Sequence, residues 1–206
     1  MAAIEVRSIA ALPVERWRNG GGVTRTIASG ASGASGASGE SQWRISLAEV
    51  ERNGPYSRFE GIDRISFVLR GAGVTLRDEH SAVTLKTFEA VEYDGNAQWH
   101  ATLIDGPVTA LNVMTSKGRY RASVRNIVGP LTVPSGCLVA VVALHGGCAW
   151  SDAAGEPLGA IEAGQFLIAD SLDYAIRFLP TAPAVNEAVS PQPPVLVTIE
   201  SASAHE

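Results

Sequence analysis

Three consecutive glycines between arginines, in the segment WRNGGGVTR (residues 17–25), form the first pattern that could carry chemistry. Glycine costs backbone entropy, so a triplet marks a backbone shape or a close approach that other residues resist. One interpretation is a concave anion site built from main-chain N–H groups, with neighbouring arginines supplying charge. The other is a tight turn or bulge that leads into a β-strand. The residues alone leave both interpretations open.

The segment GPYSRFEGIDR (residues 54–64) places two arginines next to aromatic side chains. A guanidinium held flat against aromatic rings presents its fork of N–H donors into a pocket, which is the geometry that recognises carboxylates. The simpler interpretation is a surface loop in which Arg58 and Arg64 pair with Glu60 and Asp63. This segment is therefore either a binding element or a loop of ion pairs.

A single asparagine, Asn112, interrupts the otherwise apolar stretch LNVM (residues 111–114). A buried asparagine must find hydrogen-bond partners for its carbonyl and its amide. Its position therefore predicts a contact with backbone groups or with a ligand.

Motifs for metal binding, nucleophilic catalysis and phosphate binding are missing from the sequence. There is no His-x-His pair, no Gly-x-Ser-x-Gly elbow and no Gly-Lys-Ser/Thr sequence after the glycines. The histidines are widely separated, which favours structural or surface roles. We therefore expect no metal and no cofactor. The four histidines are His80, His100, His145 and His205.

Charge is unevenly distributed along the 206 residues. Residues 1–125 carry 15 Lys and Arg against 13 Asp and Glu, whereas residues 126–206 carry 1 against 8. Arginine supplies 14 of the 16 basic residues, and it suits fixed recognition of carboxylates, although a GC-rich genome produces the same bias. A pI of about 5.4 without a basic stripe argues against nucleic-acid binding.

The N-terminal residues and the cysteines predict a cytoplasmic protein. The N-terminal residues lack the basic start and apolar run of a secretory signal, and no apolar stretch approaches the ~18 residues of a membrane span. Two cysteines, Cys137 and Cys148, are too few for a disulfide framework or a metal site. One alternative is that they face each other across a hairpin; the prediction is two reduced, buried thiols.

Alternating apolar and polar residues predict an almost entirely β chain. Trp43–Leu47 and Ile65–Arg70 alternate in this way, and turn residues separate short strands as in sandwiches and barrels. Leu138–Leu144 is wholly apolar, as expected for a strand covered on both faces. A short turn around Pro13–Trp17 is the one helix that the pattern allows. Further strands are predicted at 74–77, 82–86, 101–104, 108–114, 166–168, 175–178 and 195–199.

A change of charge balance near 125–134 predicts two β modules, 1–125 and 126–206, with N-terminal strands free to cross between them. The Gly-Ala-Ser repeat at 29–39 cannot stabilise its own ordering and predicts a flexible loop between two strands. The proline-rich residues 180–194 predict an irregular stretch before the last strand.

Several of these segments, taken in order, resemble the HutD/Ves family. They are WRNGGGVTR (17–25), WRISLAEV (43–50), GPYSRFEGIDRISFVLRGAG (54–73) and ATLIDGPVTALNVMT (101–115). The remainder is similar to the family as a second β module, in which GEPLGAIEAGQFLIAD has a cupin-like rhythm. The resemblance implies a bicupin fold: two jelly-roll-like β-barrels or sandwiches in one chain, without the usual cupin metal histidines.

The resemblance also implies a ligand pocket in the first barrel. A small carboxylate is the expected occupant, because Arg18, Arg58 or Arg64 would supply charge while Ser46 and Asn112 set its orientation. The glycines are expected where the first long strand bends around the lumen and a Cβ would intrude. The implied ligand-binding residues are Arg18, Asn19, Gly20, Gly21, Gly22, Thr24, Arg25, Ser46, Ser57, Arg58, Arg64, Asn112 and Met114.

Three functions remain open at this point. The leading hypothesis is a metal-free protein that binds a small acid of the urocanate or formylglutamate class and regulates or assists histidine utilisation. The alternative is a metal-independent isomerase or hydrolase, with Glu49, Asp63 and His100 as candidate acid–base groups. The third is a partner-binding protein that forms a homodimer through Leu138–Leu144.

Overall fold

The computed structural model describes residues 4–30, 41–181 and 192–202. Within these ranges the chain forms two compact units. The N-terminal unit contains residues 12–122 with Ser201 and Ala202, and the C-terminal unit contains residues 123–200 with the segment 4–11. Most of the Gly-Ala-Ser repeat, much of the proline-rich stretch and His205 lie outside the described residues.

Nearly all regular structure in the described ranges is β, which confirms the predicted fold class; one short 3-10 turn, Ile9–Ala11, is the exception. These ranges contain no helix with the length and apolar character of a membrane span. In chain order the strands are β1 (Glu5–Ser8), β2 (Glu15–Arg16), β3 (Gly22–Gly30), β4 (Trp43–Val50), β5 (Gly54–Pro55), β6 (Ile62–Arg70), β7 (Val74–Arg77), β8 (Ala82–Leu85), β9 (Ala90–Asp94), β10 (His100–Leu103), β11 (Val108–Ser116), β12 (Tyr120–Asn126), β13 (Leu131–Val133), β14 (Leu138–Ala143), β15 (Cys148–Ser151), β16 (Pro157–Ile161), β17 (Gln165–Ala169), β18 (Ile176–Pro180) and β19 (Val195–Ser201).

The N-terminal unit is a sandwich of two sheets. Its six-stranded sheet has the order β2-β3-β4-β11-β6-β9, and its four-stranded sheet has the order β5-β10-β7-β8. One buried cluster joins Val50, Val68 and Ala110 of the larger sheet to Leu76 and Ala101 of the smaller. Burial of these side chains between two inner faces is what holds such a sandwich together.

The C-terminal unit repeats this plan. A five-stranded sheet in the order β1-β17-β14-β19-β12 accompanies a four-stranded sheet in the order β13-β18-β15-β16. Its buried cluster joins Val139, Val141 and Leu167 of the first sheet to Trp150 and Phe178 of the second. The chain's first strand pairs antiparallel with β17 and so belongs to this unit.

The apolar run at Leu138–Leu144 supplies the central strand of this unit. Strand β14 lies between β17 and β19, and all six of its residues are buried within the single chain. Its hydrophobic character is therefore explained without a second copy. The homodimer remains a prediction, but the apolar character of β14 is no longer an argument for it.

The predicted helix around Pro13–Trp17 is wrong. Glu15–Arg16 instead form β2, which pairs antiparallel with the start of β3. The Trp17 N–H continues this pairing by donating to the Gly22 carbonyl at 3.0 Å. Pairing with a neighbouring strand outweighs the weak local preference that a proline gives to a first helical turn.

The glycine triplet makes the hairpin between β2 and β3. Gly20 has a φ of +64° and donates its N–H to the Trp17 carbonyl at 3.0 Å, which closes the turn. A Cβ on Gly22 would collide with the Glu49 carbonyl oxygen on β4. The steric demand at Gly22 therefore comes from the neighbouring strand and not, as expected from the sequence, from the lumen.

Substituting Gly22 with alanine should destabilise the N-terminal unit. The added methyl group meets a backbone oxygen that cannot rotate away, so we expect the free energy of unfolding to fall by about 3 kcal/mol. Urea titration followed by tryptophan fluorescence measures this change. Gly54→Ala is the matched control, because a Cβ at Gly54 has no atom within 4 Å. Equal stability of the two variants would contradict the assigned clash.

Cys137 and Cys148 are both free and buried, as predicted. Burial raises the pKa of the Cys148 thiol from 9.0 to about 12. Burial, reinforced by a 3.2 Å hydrogen bond to the Glu200 carboxylate, raises the pKa of the Cys137 thiol to about 11. Because the thiolate is the reactive form, both side chains should be inert in the folded protein.

We expect neither thiol of the native protein to react with a disulfide reagent at pH 8, and both to react in urea.

The raised thiol pKa values also predict how stability depends on pH. An unfolded thiol loses its proton near pH 9 while the native thiols keep theirs, so the free energy of unfolding should decrease from about pH 9 upward. Urea titrations at pH 8 and pH 10 measure this loss, and Cys148→Ala should reduce it. Rapid reaction of the native protein would contradict the burial.

Candidate functional site

A cavity of about 510 Å³ opens in the N-terminal unit. Its walls come from the hairpin segment 15–19, from β3, β4, β6 and β11, and from the segment 55–59 that begins at the end of β5. This volume lies within the range of sites for small molecules. The cavity is the candidate functional site.

Strand register builds the floor of the cavity in two rows. Strand β11 pairs with β4 on one side and with β6 on the other, and alternate side chains of a strand share a face. We call Ser46, Asn112 and Ser66 the serine row. We call Arg44, Met114 and Arg64, two residues further along, the arginine row.

Arg64 is the most deeply buried cation of the cavity, with 5% of its surface exposed. Its guanidinium carbon lies 5.4, 5.5 and 5.1 Å from the ring centres of Tyr56, Phe59 and Tyr93. One Nη donates to the Ser57 carbonyl at a long 3.4 Å. Within the described ranges the buried Nε has no hydrogen-bond partner, and no carboxylate lies within 4 Å of the guanidinium. Arg64 is thus held by rings while its charge remains unpaired.

A chain of hydrogen bonds fixes the orientation of Asn112. The Ser66 hydroxyl donates to the Asn112 carbonyl oxygen at 2.5 Å and lies 2.8 Å from the Tyr93 hydroxyl. Since the serine proton goes to Asn112, Tyr93 is the donor to Ser66. This order leaves the Asn112 amide group, a donor of two N–H bonds, at the cavity surface.

Two aromatic side chains form one wall. Trp17 and Tyr56 meet edge to face at 5.9 Å, and the Trp17 indole N–H donates to the Thr24 hydroxyl at 2.7 Å. Burial raises the pKa of the Tyr56 hydroxyl well above its usual value; Tyr93 adds to the rise, and Arg64 opposes it. Tyr56 is therefore a neutral hydroxyl that can donate a hydrogen bond.

Asn19 holds the hairpin at the mouth of the cavity. Its amide donates to the Pro55 carbonyl at 3.0 Å, and its own carbonyl accepts the Gly21 N–H at 2.9 Å. The tip of the hairpin is thereby tied to the loop that follows β5. This attachment keeps Arg16 and Arg18, both exposed, on the rim.

The charge of the lining is predominantly positive. Four arginines line the cavity, and Glu15 is the one carboxylate among the described lining residues. Fields of one sign in a cleft with low-dielectric walls attract ligands of the opposite sign. The arginines are Arg16, Arg18, Arg44 and Arg64.

The structure brings eight of the thirteen predicted ligand residues to this cavity. The pocket interpretation of the segment 54–64 holds for Arg64, which lies against the aromatic rings as expected. The eight residues are Arg18, Asn19, Thr24, Ser46, Ser57, Arg64, Asn112 and Met114.

The other five do not line the cavity. Gly20, Gly21 and Gly22 shape the hairpin. Arg25 forms an ion pair with Glu49. Arg58, for which the surface-loop interpretation holds, pairs with Glu60 at 2.8 Å and with the Asn96 side chain.

The candidate acid–base groups also lie elsewhere. Glu49 pairs with Arg25, Asp63 lies 3.9 Å from Lys117, and His100 is exposed on β10. None of these three side chains lines the cavity. Of the titratable residues that do, Glu15 is exposed at the rim and Tyr56 is neutral.

Sequence reasoning missed several lining residues, and Arg44 is the most informative of them. Alternation along WRISLAEV places Arg44 on the same face as Ser46, a signal that could have identified it. Trp17 carried no such signal, because it reaches the cavity only through the hairpin. The missed residues are Glu15, Arg16, Trp17, Arg44, Ala48, Pro55, Tyr56 and Phe59.

A catalytic metal does not fit this donor set. Protein metal sites use histidine, cysteine or several carboxylates, and the lining offers four arginines and one exposed glutamate. The described residues contain no group of three or more His, Cys, Asp or Glu side chains suited to a metal. The cavity instead supplies fixed N–H donors and positive charge.

Comparison with known proteins places this chain among bacterial relatives. Protein Ves of Citrobacter koseri is 35% identical over 59% of this chain and 63% of its own length. An uncharacterised 21.2 kDa protein in the hutC 3′ region of Pseudomonas putida is 34% identical over 52% of this chain and 55% of its own length. The matches thus cover less than two thirds of these curated relatives.

Solved structures match over almost the whole chain. A conserved protein of unknown function from Pseudomonas aeruginosa PAO1 has a TM-score of 0.78 at 27% identity, covering 97% of this chain and 99% of its own. HutD from Pseudomonas fluorescens SBW25, in a formate condition, has a TM-score of 0.75 at 25% identity with the same coverage. A cupin 2 conserved barrel protein from Leptotrichia buccalis, at 10% identity and a TM-score of 0.52 over 98% and 97% of the two chains, shares the fold. Since the HutD family model matches residues 10–181, this chain belongs to the HutD family, with a cupin-type fold.

Proposed function

We propose that this protein binds a small carboxylate in the cavity of its N-terminal unit and serves histidine utilisation as a metal-free accessory or regulatory protein. The buried, unpaired guanidinium of Arg64 is the observation that carries the proposal. Charged groups are rarely buried without a partner because desolvation costs several kcal/mol. A bound anion supplies the missing partner.

The donors around Arg64 favour a carboxylate. A guanidinium can give two parallel N–H bonds to the two oxygens of one carboxylate. The Asn112 amide, oriented by Ser66, adds neutral N–H donors from the adjacent row. Each charge-assisted bond is worth about 1.5–3 kcal/mol, which suffices to hold a ligand of few atoms.

The histidine-utilisation assignment is supported by the relatives. The Pseudomonas putida relative is a protein of the hutC 3′ region, and the chain belongs to the HutD family. Carboxylates of histidine breakdown, urocanate and formylglutamate, are therefore the natural ligands to test. Formate is included because the Pseudomonas fluorescens HutD was studied in a formate condition.

Binding is proposed in preference to catalysis because of the chemistry of the lining. Proton transfer needs an acid or base within hydrogen-bond reach of the reacting group. Glu15 is the one described lining residue with an ordinary carboxylate, and it is exposed at the rim. The deep part of the cavity holds arginine, asparagine, serine and aromatic side chains, which position a ligand and do not exchange protons near neutral pH.

Removing the Arg64 charge should abolish most of the affinity. We expect Arg64→Gln to raise the Kd for urocanate or formylglutamate by about 10- to 100-fold, because the charge-assisted bonds are lost. Isothermal titration calorimetry measures the Kd. The matched control is Arg58→Gln, because Arg58 does not line the cavity and pairs with Glu60 instead.

The control should bind within about twofold of the unmodified protein. Equal losses in the two arginine variants would contradict the assignment of Arg64. Absence of heat with urocanate, formylglutamate, histidine and formate at millimolar concentrations would contradict the proposed function itself.

Asn112→Asp tests the sign of the ligand charge. Aspartate has the shape of asparagine and can still accept the Ser66 hydroxyl, but it replaces the free amide donor with a negative oxygen. We expect the affinity for a carboxylate to fall at least about tenfold through repulsion and loss of a donor. Calorimetry provides the Kd, and circular dichroism verifies the fold. Unchanged or tighter carboxylate binding would contradict an anion beside Asn112.

A further inference from the structure

We infer that the cavity is built for a ligand with two anionic ends, a short-chain dicarboxylate, in which Arg64 holds one carboxylate and Arg44 the other. This inference deepens the proposed function and rests on it. The carrying observation is a second arginine, on the opposite side of the cavity floor, whose buried nitrogen also lacks a partner.

Arg44 resembles Arg64 in its bonding state. Its Nε is buried and has no hydrogen-bond partner, and no carboxylate of the described ranges lies within 4 Å of its side chain. Glu15, the lining carboxylate, is not paired with it. A buried donor without a partner costs about 1–3 kcal/mol, more when the group is charged. Two such donors in one cavity indicate two acceptors.

The spacing of the two arginines defines the ligand. Arg44 and Arg64 occupy the same row on strands β4 and β6, with Met114 of β11 between them. Neighbouring strands are about 4.8 Å apart, so the two Cα atoms are about 10 Å apart. Both side chains line the same cavity. We therefore expect a ligand with a few carbon atoms between its carboxylates to reach both guanidinium groups.

The residues between the two cations suit the middle of such a ligand. Met114 offers a flexible apolar surface to a hydrocarbon segment. Ser46 and Asn112 of the serine row lie alongside and provide hydroxyl and amide groups for a polar substituent. Arg16 and Arg18 differ from the anchoring pair because they are exposed at the rim, where they attract anions without fixing their orientation.

Paired probes of equal length test this inference. Glutarate and valerate have the same carbon chain but two and one carboxylates, and calorimetry gives the Kd of each for the whole protein. We expect glutarate to bind at least about tenfold more tightly than valerate, because only glutarate satisfies both arginines. Arg44→Gln should remove this advantage while leaving the Kd for valerate within about threefold.

Arg44→Lys and Arg58→Gln complete the design. Lysine keeps the charge without the planar fork, so it should retain part of the glutarate advantage and report on the site if the glutamine variant folds poorly. Arg58→Gln, outside the cavity, should retain all of it. Equal affinities of the two probes, unaffected by Arg44→Gln, would overturn the two-anchor site and leave the proposed function standing. Failure of both probes and of urocanate and formylglutamate to bind would overturn both.

Discussion

The burial of one guanidinium without a counter-ion is the constraint on which the N-terminal unit depends. Three aromatic rings surround Arg64, and each cation–π contact contributes about 0.5–2 kcal/mol. The rings stabilise the charge but accept none of the N–H bonds in the guanidinium plane, and Nε has no partner. The protein therefore stabilises the cation through ring contacts and leaves its Nε without a partner among the described residues. Under the proposed function, this arrangement is in place before the anion binds, which reduces the cost of binding.

The six-stranded sheet contains both apolar and polar residues on one face of β4, β11 and β6, because the residue type changes every two residues along these strands. Ala48, Ala110 and Val68 form an apolar row on β4, β11 and β6 that is part of the buried face. The serine row follows, and the arginine row follows that. The first step replaces packing with hydrogen bonding, and the second replaces hydrogen bonding with positive charge, while the register stays unchanged. The residues that pack the sandwich and the polar residues of the cavity therefore lie at different positions along the same strands.

Alternation and turn residues predicted the β architecture, and the resemblance to the HutD/Ves family implied half of the residues that line the cavity, but neither could rank the arginines. Arg58 and Arg64 lie in one segment beside the same aromatic residues, and only the position of Arg64 within β6 directs it to the cavity. The glycine triplet was ambiguous for a related reason. Its turn is decided by pairing between β2 and β3, a contact that local preferences do not contain. Long-range register is the information that the residue pattern lacks.

A cavity lined by arginines differs from a metal site in what it can do with an acid. A metal ion polarises its ligand and can activate water, whereas a guanidinium supplies charge and directed donors without either effect. The neutral Tyr56 and the fixed amide of Asn112 add donors of the same passive kind. The proposed function predicts that such a cavity binds and releases its ligand unchanged, so that its occupancy follows the ligand concentration. Reversible occupancy is the property that the proposed regulatory or accessory role requires.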